Sequence, residues 1–205
     1  MKKLLLLLAL VALAVPAAAL TYTYGWEDGT STLLSVFPLS PPGMLAYNVT
    51  GPDPVYGGTY SLKTVDNSTG TPQGYVVWIR GLMNGDVVTA SVARYDTTPN
   101  AQPSGRIWGH YNDNPLDVNG YNGSASGNSD YGLGLGWDIT SYTWTMTGGH
   151  TGLVVELRTY TDPGSTVWWD NLEVVVPDRT GIFVEFPGGY IPVEDNTISS
   201  IKALY

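Results

Sequence analysis

The stretch GSTVWWDNLEVVV, residues 164–176, reads as a β-strand: Thr, Val and Trp dominate it, a Gly opens it, and nothing in it repeats with a helical period. Its middle carries Asp170 and Asn171. Asp170, Leu172 and Val174 share parity, which sets the carboxylate at the core-facing edge of the strand. Burying an unpaired carboxylate costs several kcal/mol, so Asp170 requires a partner, either a cation or an array of hydrogen-bond donors.

The same texture extends upstream. Residues 20–178 are short runs of Val, Thr, Tyr and Trp separated by Gly, Pro, Asn and Asp, with no long apolar repeat of helical period. Strands are expected near 21–26, 61–64, 74–81, 86–95, 105–111, 142–147, 152–160 and 166–176, with turns such as MNGD at 83–86 and TDPGS at 161–165. Eight short strands in one domain predict an all-β fold, a two-sheet antiparallel β-sandwich. Two long polar segments interrupt the pattern, 28–58 with its SPPG turn and 112–136, rich in turn-formers. Such insertions are either plain surface or the walls of a ligand site.

The ends differ from the middle. MKKLLLLLALVALAVPAAAL reads as a secretory signal peptide, residues 1–19, with Ala17 and Ala19 suited to a cut that leaves Leu20 first. Its uninterrupted apolar run is shorter than the roughly 20 residues that cross a bilayer, so no membrane span is expected after cleavage. Beyond Pro177 the composition shifts. GIFVEF (181–186) reads as one more strand and NTISSIKALY (196–205) as a helical turn or two, so 179–205 is expected to be an appendage on the 20–178 domain.

Loss of Lys2 and Lys3 leaves seven basic against 18 acidic residues, a net charge of −11. Such a surface repels nucleic acid. The chain has no cysteine, so an exported domain of this kind is held by its core or by metal, and prokaryotic export to the medium or cell surface is the simpler setting. Neither histidine, His110 or His150, has metal-ligand spacing, and no nucleophile-elbow, HExxH or phosphate-loop pattern occurs. The expectation is a protein that is not an enzyme.

Aromatic usage is the stronger signal, with 7 Trp and 14 Tyr against 3 Phe. Trp and Tyr join a flat apolar face to a polar edge, which suits the C–H face of a sugar ring and its hydroxyl rim. Alternation sharpens the choice. If Val77 and Ile79 are core, Trp78 and Arg80 face outward; Val88, Ala90 and Val92 as core send Tyr95 outward. Ile107 inward exposes Arg106, Trp108 and His110, and Val155 with Leu157 inward exposes Glu156, Arg158 and Tyr160. The expected ligand-binding residues are therefore Trp78, Arg80, Tyr95, Arg106, Trp108, His110 and Tyr160, together on one face. A one-residue slip at a bulge would exchange the faces and bring in Tyr75 and Tyr111 instead.

YGWEDGTS at the start, PVYGGTYSLKTVDN at 54–67, IRGLMNGDVVTASVARY at 79–95 and GSTVWWDNLEV near the end resemble, in order and spacing, the jelly-roll carbohydrate-binding modules of bacterial glycanases, the cellulose- and xylan-binding families four, nine and twenty-two. The resemblance covers residues 22–176. It implies a jelly-roll sandwich that binds polysaccharide without catalysis, and a structural calcium held by Asp170, by Glu27 (or Asp28 in its place) and by backbone oxygens around 57–61. Calcium takes 6–8 oxygen ligands in forgiving geometry, which suits such a set. The alternative to the metal is that Asp170 accepts backbone N–H bonds. The alternative to the glycan is a self-assembling subunit of a cell surface or matrix.

Overall fold

β-Branched and aromatic residues in short alternating runs give thirteen strands among the described residues, which are 18–97, 104–132, 135–160 and 163–191 of a computed structural model. Residues 1–17 of the expected signal peptide (1–19) and the expected helical turns at 196–205 lie outside the described residues. The strands are β1 (Ala19–Tyr24), β2 (Ser35–Phe37), β3 (Met44–Val49), β4 (Ser61–Asp66), β5 (Gln73–Arg80), β6 (Val87–Asp96), β7 (Ser104–Tyr111), β8 (Ser124–Gly127), β9 (Gly136–Thr145), β10 (Gly152–Tyr160), β11 (Thr166–Pro177), β12 (Phe183–Phe186) and β13 (Gly189–Ile191). They form an all-β, two-sheet antiparallel sandwich. Sheet I has the order β3-β4-β11-β6-β9, with β1 also on β11; sheet II has the order β13-β12-β5-β10-β7-β8, with β2 also on β5.

The alternation read from the sequence sets the inner faces. Val88, Ala90 and Val92 of sheet I and Val77, Ile79, Ile107, Val155 and Leu157 of sheet II are fully buried in one core, as expected, and Leu153 joins them. Each Val, Leu or Ile among them contributes roughly 1.5–3 kcal/mol by leaving water. Trp26 and Trp169 join them, and Leu82 closes one end of the sandwich. Trp169 lies so close to the sheet II backbone that a Cβ at position 105 would stand 2.3 Å from its ring, which is why Gly105 occupies that place. Its indole N–H donates to Thr64 Oγ1 at 2.8 Å.

Three departures from the sequence reading have physical causes. First, the pairing of β11 with β6 shifts register between Asp170 and Glu173, with Asn171 at φ 47°. This bulge gives Asp170 the parity of Trp168, while Leu172 and Val174 face the core. Second, the sandwich does not end at residue 178. β12 pairs with β5, with Val184 opposite Ile79, and Ile182, Val184 and Phe186 are core residues. The break in composition at Pro177 marks a turn, not a domain boundary. Third, the long segments 28–58 and 112–136 carry strands of their own, β2, β3 and β8.

Candidate functional site

Three neighbouring strands of sheet II, β5, β10 and β7, place side chains on the outer face in rows. Trp78, Val154 and His110 form one row, Tyr75, Glu156 and Trp108 the next, and Gln73, Arg158 and Arg106 the third. Tyr75 joins this face because the β5–β10 register shifts between Val155 and Glu156, leaving Val76 and Val77 both inward. Strict alternation from Val77 had turned Tyr75 toward the core. A bulge of this kind is invisible in residue types, so Tyr75 was not among the expected site residues.

Glu156 is fully buried and organises the face. Its Oε1 lies 2.5 Å from His110 Nδ1 and its Oε2 accepts from Arg158 Nε at 2.6 Å. Glu156 thus links the His110 imidazole to the Arg158 guanidinium. The Arg158 guanidinium then lies over the Trp108 ring at 4.6 Å, and the Trp108 indole N–H donates to Ser124 Oγ at 3.1 Å. Tyr75 meets the His110 ring at 4.9 Å and Tyr121 meets it at 5.5 Å. Burial, together with the Glu156 charge, holds the Tyr75 phenol well above its ordinary pKa, so it remains a hydroxyl donor.

Loops complete the walls. Asn112 donates to the carbonyls of Asp117 and Val118 and folds residues 112–119 back over the sheet. Val118 and Leu34 pack on Tyr75, Trp78 and Val154, and Ser35 Oγ meets Asn119 Oδ1 at 2.5 Å. The result is a cleft of about 360 Å³ lined by Phe37, Gln73, Tyr75, Asn119, Tyr121 and Arg158. Its chemistry is a set of rings beside amide and guanidinium donors, groups able to stack on and hydrogen-bond a polyhydroxylated ligand.

Of the expected residues, Trp78, Arg80, Arg106, Trp108 and His110 do share this face, but not all as open surfaces. Trp78 is 6% exposed, because Arg80 covers its ring at 4.2 Å while bonding Glu185 at 3.0 Å and the Pro115 carbonyl at 3.2 Å. His110 is fully buried, and Arg106 stacks on Tyr131 at 4.4 Å. Tyr160 ends β10 at the position opposite Ser104, and its side chain lies outside the described residues. Tyr95 is outward too, but on sheet I, so the expectation that it shares one groove with Trp78 and Trp108 is corrected. Alternation fixes a face and not a sheet. Glu156 and Arg158 were legible as outward; Tyr121 and Asn119 sit in a turn-rich loop that has no periodicity to read.

The expected metal residues, Glu27 and Asp170, lie outside this cleft. Asp170 is 2% exposed, at the point where β11 exchanges β4 for β1 as its neighbour. Its Oδ2 accepts from the Tyr56 and Gly57 amides, each at 3.0 Å, and its Oδ1 from the Asn171 amide at 2.7 Å. Glu27 accepts from the Thr59 and Tyr60 amides at 3.0–3.2 Å. Both carboxylates border one cleft of about 360 Å³. Burial raises the Asp170 pKa and the Glu27 charge adds to it, against three lowering amide bonds.

No protein-family model matches the chain, and no curated protein matches it. Solved structures do. The CBM22-1 xylan-binding domain of Xyn10C from Paenibacillus barcinonensis superposes with a TM-score of 0.54 at 15% identity, covering 81% of this chain and 100% of that domain. The CBM22-1–CBM22-2 tandem of the same protein gives 0.51 at 14% identity over 80% of this chain and 47% of that one. The enzymatically active domain of tailspike protein 4 from bacteriophage CBA120 gives 0.51 at 11% identity over 74% of this chain and 20% of that one. The chain therefore has the fold of a jelly-roll carbohydrate-binding module of the CBM22 type.

Proposed function

We propose that the protein is an exported, non-catalytic polysaccharide-binding β-sandwich whose ligand lies in the cleft on the outer face of sheet II. The observation that carries this reading is the convergence there of Tyr75, Tyr121 and Phe37 with Gln73, Asn119 and Arg158. Rings supply stacking surface and the amide and guanidinium groups supply directed donors to hydroxyls. Glycoside hydrolysis by a carboxylate pair needs two positioned acids. The described residues lining the cleft include no carboxylate, and Glu156 beneath them is taken up by His110 and Arg158.

The same reading includes a structural calcium. Glu27 and Asp170 are hard oxygen donors facing one cleft, their like charges oppose each other, and each carboxylate keeps lone-pair directions beyond its amide bonds. A cation there would neutralise the pair and tie the end of β1 and the interior of β11 to the 54–60 loop.

The test of binding is a panel of soluble glycans, xylan and β-glucans among them, against the wild type and Tyr121→Ala. Tyr121 is 66% exposed, so its truncation leaves the fold intact. The expected result is a loss of about thirtyfold in affinity, the effect of removing a 2 kcal/mol anchor. Equal affinity of the two proteins for every glycan bound would overturn the cleft as the site.

A further inference from the structure

On the opposite face of the molecule, five outward side chains stand in register across all five strands of the sheet I path: Tyr47, Lys63, Trp168, Tyr95 and Trp137. We propose that this row is a second binding platform, for a linear, uncharged, β-linked polysaccharide laid across the strands. The domain would then hold glycan on both faces. The inference rests on the reading of the chain as a glycan-binding domain but uses a different surface.

The row is built, not incidental. Tyr95 meets Trp137 and Trp168 edge to face, with centroids 5.4 and 5.8 Å away. Asp53 accepts from the Trp168 indole N–H at 3.1 Å and from Lys63 at 3.3 Å, and the Lys63 ammonium lies 5.3 Å from the Trp168 ring centroid. Tyr56 comes from its loop to meet Trp137 at 5.4 Å. Trp168, Tyr95 and Trp137 are thus fixed before any ligand arrives, which removes much of the ordering cost of binding. Tyr47 and Tyr56 are 47% and 48% exposed, a large aromatic surface to leave in water.

Three features select the occupant. The repeat of the row is the strand spacing of about 4.8 Å, close to the length of one pyranose residue, and the two indoles recur on every second strand. A β-1,4-linked chain turns alternate residues to the same side, so its repeat matches theirs. The rings are all Trp or Tyr, each with a polar edge beside its flat face. The one ion pair of the row, Lys63–Asp53, is internally neutral, whereas the chain as a whole carries −9. An uncharged strip on an acidic protein suits an uncharged polymer better than a second, equally acidic copy.

The experiment is depletion of the purified protein by insoluble cellulose, mannan and xylan, comparing wild type with Trp137→Ala, Trp137→Tyr and Tyr121→Ala. Trp137 lies on the edge strand β9. Trp137→Ala is expected to lose about thirtyfold in affinity and Trp137→Tyr to retain most of it, while Tyr121→Ala reports on the cleft alone. Should Trp137→Ala melt early, Tyr47→Ala at the exposed end of the row takes its place. Loss in Tyr121→Ala with Trp137→Ala unchanged overturns the platform and leaves the cleft standing; the reverse supports the platform even where the cleft fails. A wild type that binds none of the three polymers overturns it as well. So does a ring-dependent dimer in sedimentation without polysaccharide, which would assign the row to self-association.

Discussion

Asp170 occupies the one place on β11 where a strand partner ends and another has not begun, between Trp169 opposite Leu62 and Leu172 opposite Tyr24. The Tyr56 and Gly57 amides lack a strand to pair with, and the carboxylate takes their place. The need for a partner was legible from the residue type alone; the bulge that turns Asp170 away from the core parity was not. If calcium also joins this site, it raises the thermal midpoint, chelator reverses the rise, and Asp170→Ala abolishes it. A ligand at a hundredfold excess over its dissociation constant stabilises by about 2.7 kcal/mol. Superimposable melting curves with calcium and with chelator would remove the metal from the account. A second residue-level outcome concerns Glu156. Glu156→Ala strands His110 and the largely buried Arg158 without their acceptor, and removing one partner of a buried pair costs about 3–5 kcal/mol. Denaturant unfolding of that variant is expected to show a loss of this size, and an unchanged midpoint would mean that water replaces the carboxylate.

Among the elements, β12 shows where composition misleads. GIFVEF alternates as a strand should, and the structure makes it one, yet the Pro177-Asp178 break suggested that it hung outside the sandwich. Its Val184 and Phe186, with Ile182, fill the core beside β5, and Arg179 reaches back to the Gly81 carbonyl at 3.1 Å. Removing such side chains costs about 2–5 kcal/mol each, comparable in sum to the whole stability of a domain, about 5–15 kcal/mol. A chain ending at residue 178 is therefore expected to lose cooperative unfolding, while one ending at residue 191 keeps it. A sharp, wild-type-like transition in the shorter chain would return β12 to the status of an appendage. Elsewhere the strand-level reading fared better. The inward and outward lists for β6 and β7, and for β10 as far as Arg158, match the observed faces, because alternation against a buried sheet fixes register strongly. What alternation cannot supply is which sheet a strand joins, and that is why Tyr95 and Trp108 are on opposite sides of the molecule.

Across the whole sandwich, one buried cation joins what local patterns cannot foresee. Arg94 of β6 in sheet I is fully buried and donates to the Gly105 carbonyl of sheet II at 2.5 Å, so it spans the two layers. It also binds Asp138 of β9 through Nε at 2.7 Å and Nη2 at 3.2 Å, and lies 3.4 Å from Asp130 and 3.6 Å from Asp96. Three carboxylates around one guanidinium carry excess negative charge. Burial, only partly offset by the Arg94 charge, pushes Asp96 from 3.8 up to about 6. The native state thus binds a proton that the unfolded chain releases near its ordinary value. The stability contributed by Asp96 is fully present below pH 3.8 and is lost as pH rises through about 6. Asp113 works in the opposite sense: hydrogen bonds from Thr151 and His150 outweigh its burial and lower its pKa, so its contribution is lost in acid. A difference measurement separates the two. Asp96→Asn keeps the shape and cannot ionise, so its stability relative to wild type is expected to rise between pH 4 and 7, with the two proteins close together at the acid end. Parallel stability profiles for the two proteins across that range would show that Asp96 keeps its proton in neither state, and that the three-carboxylate cluster is balanced by Arg94 alone.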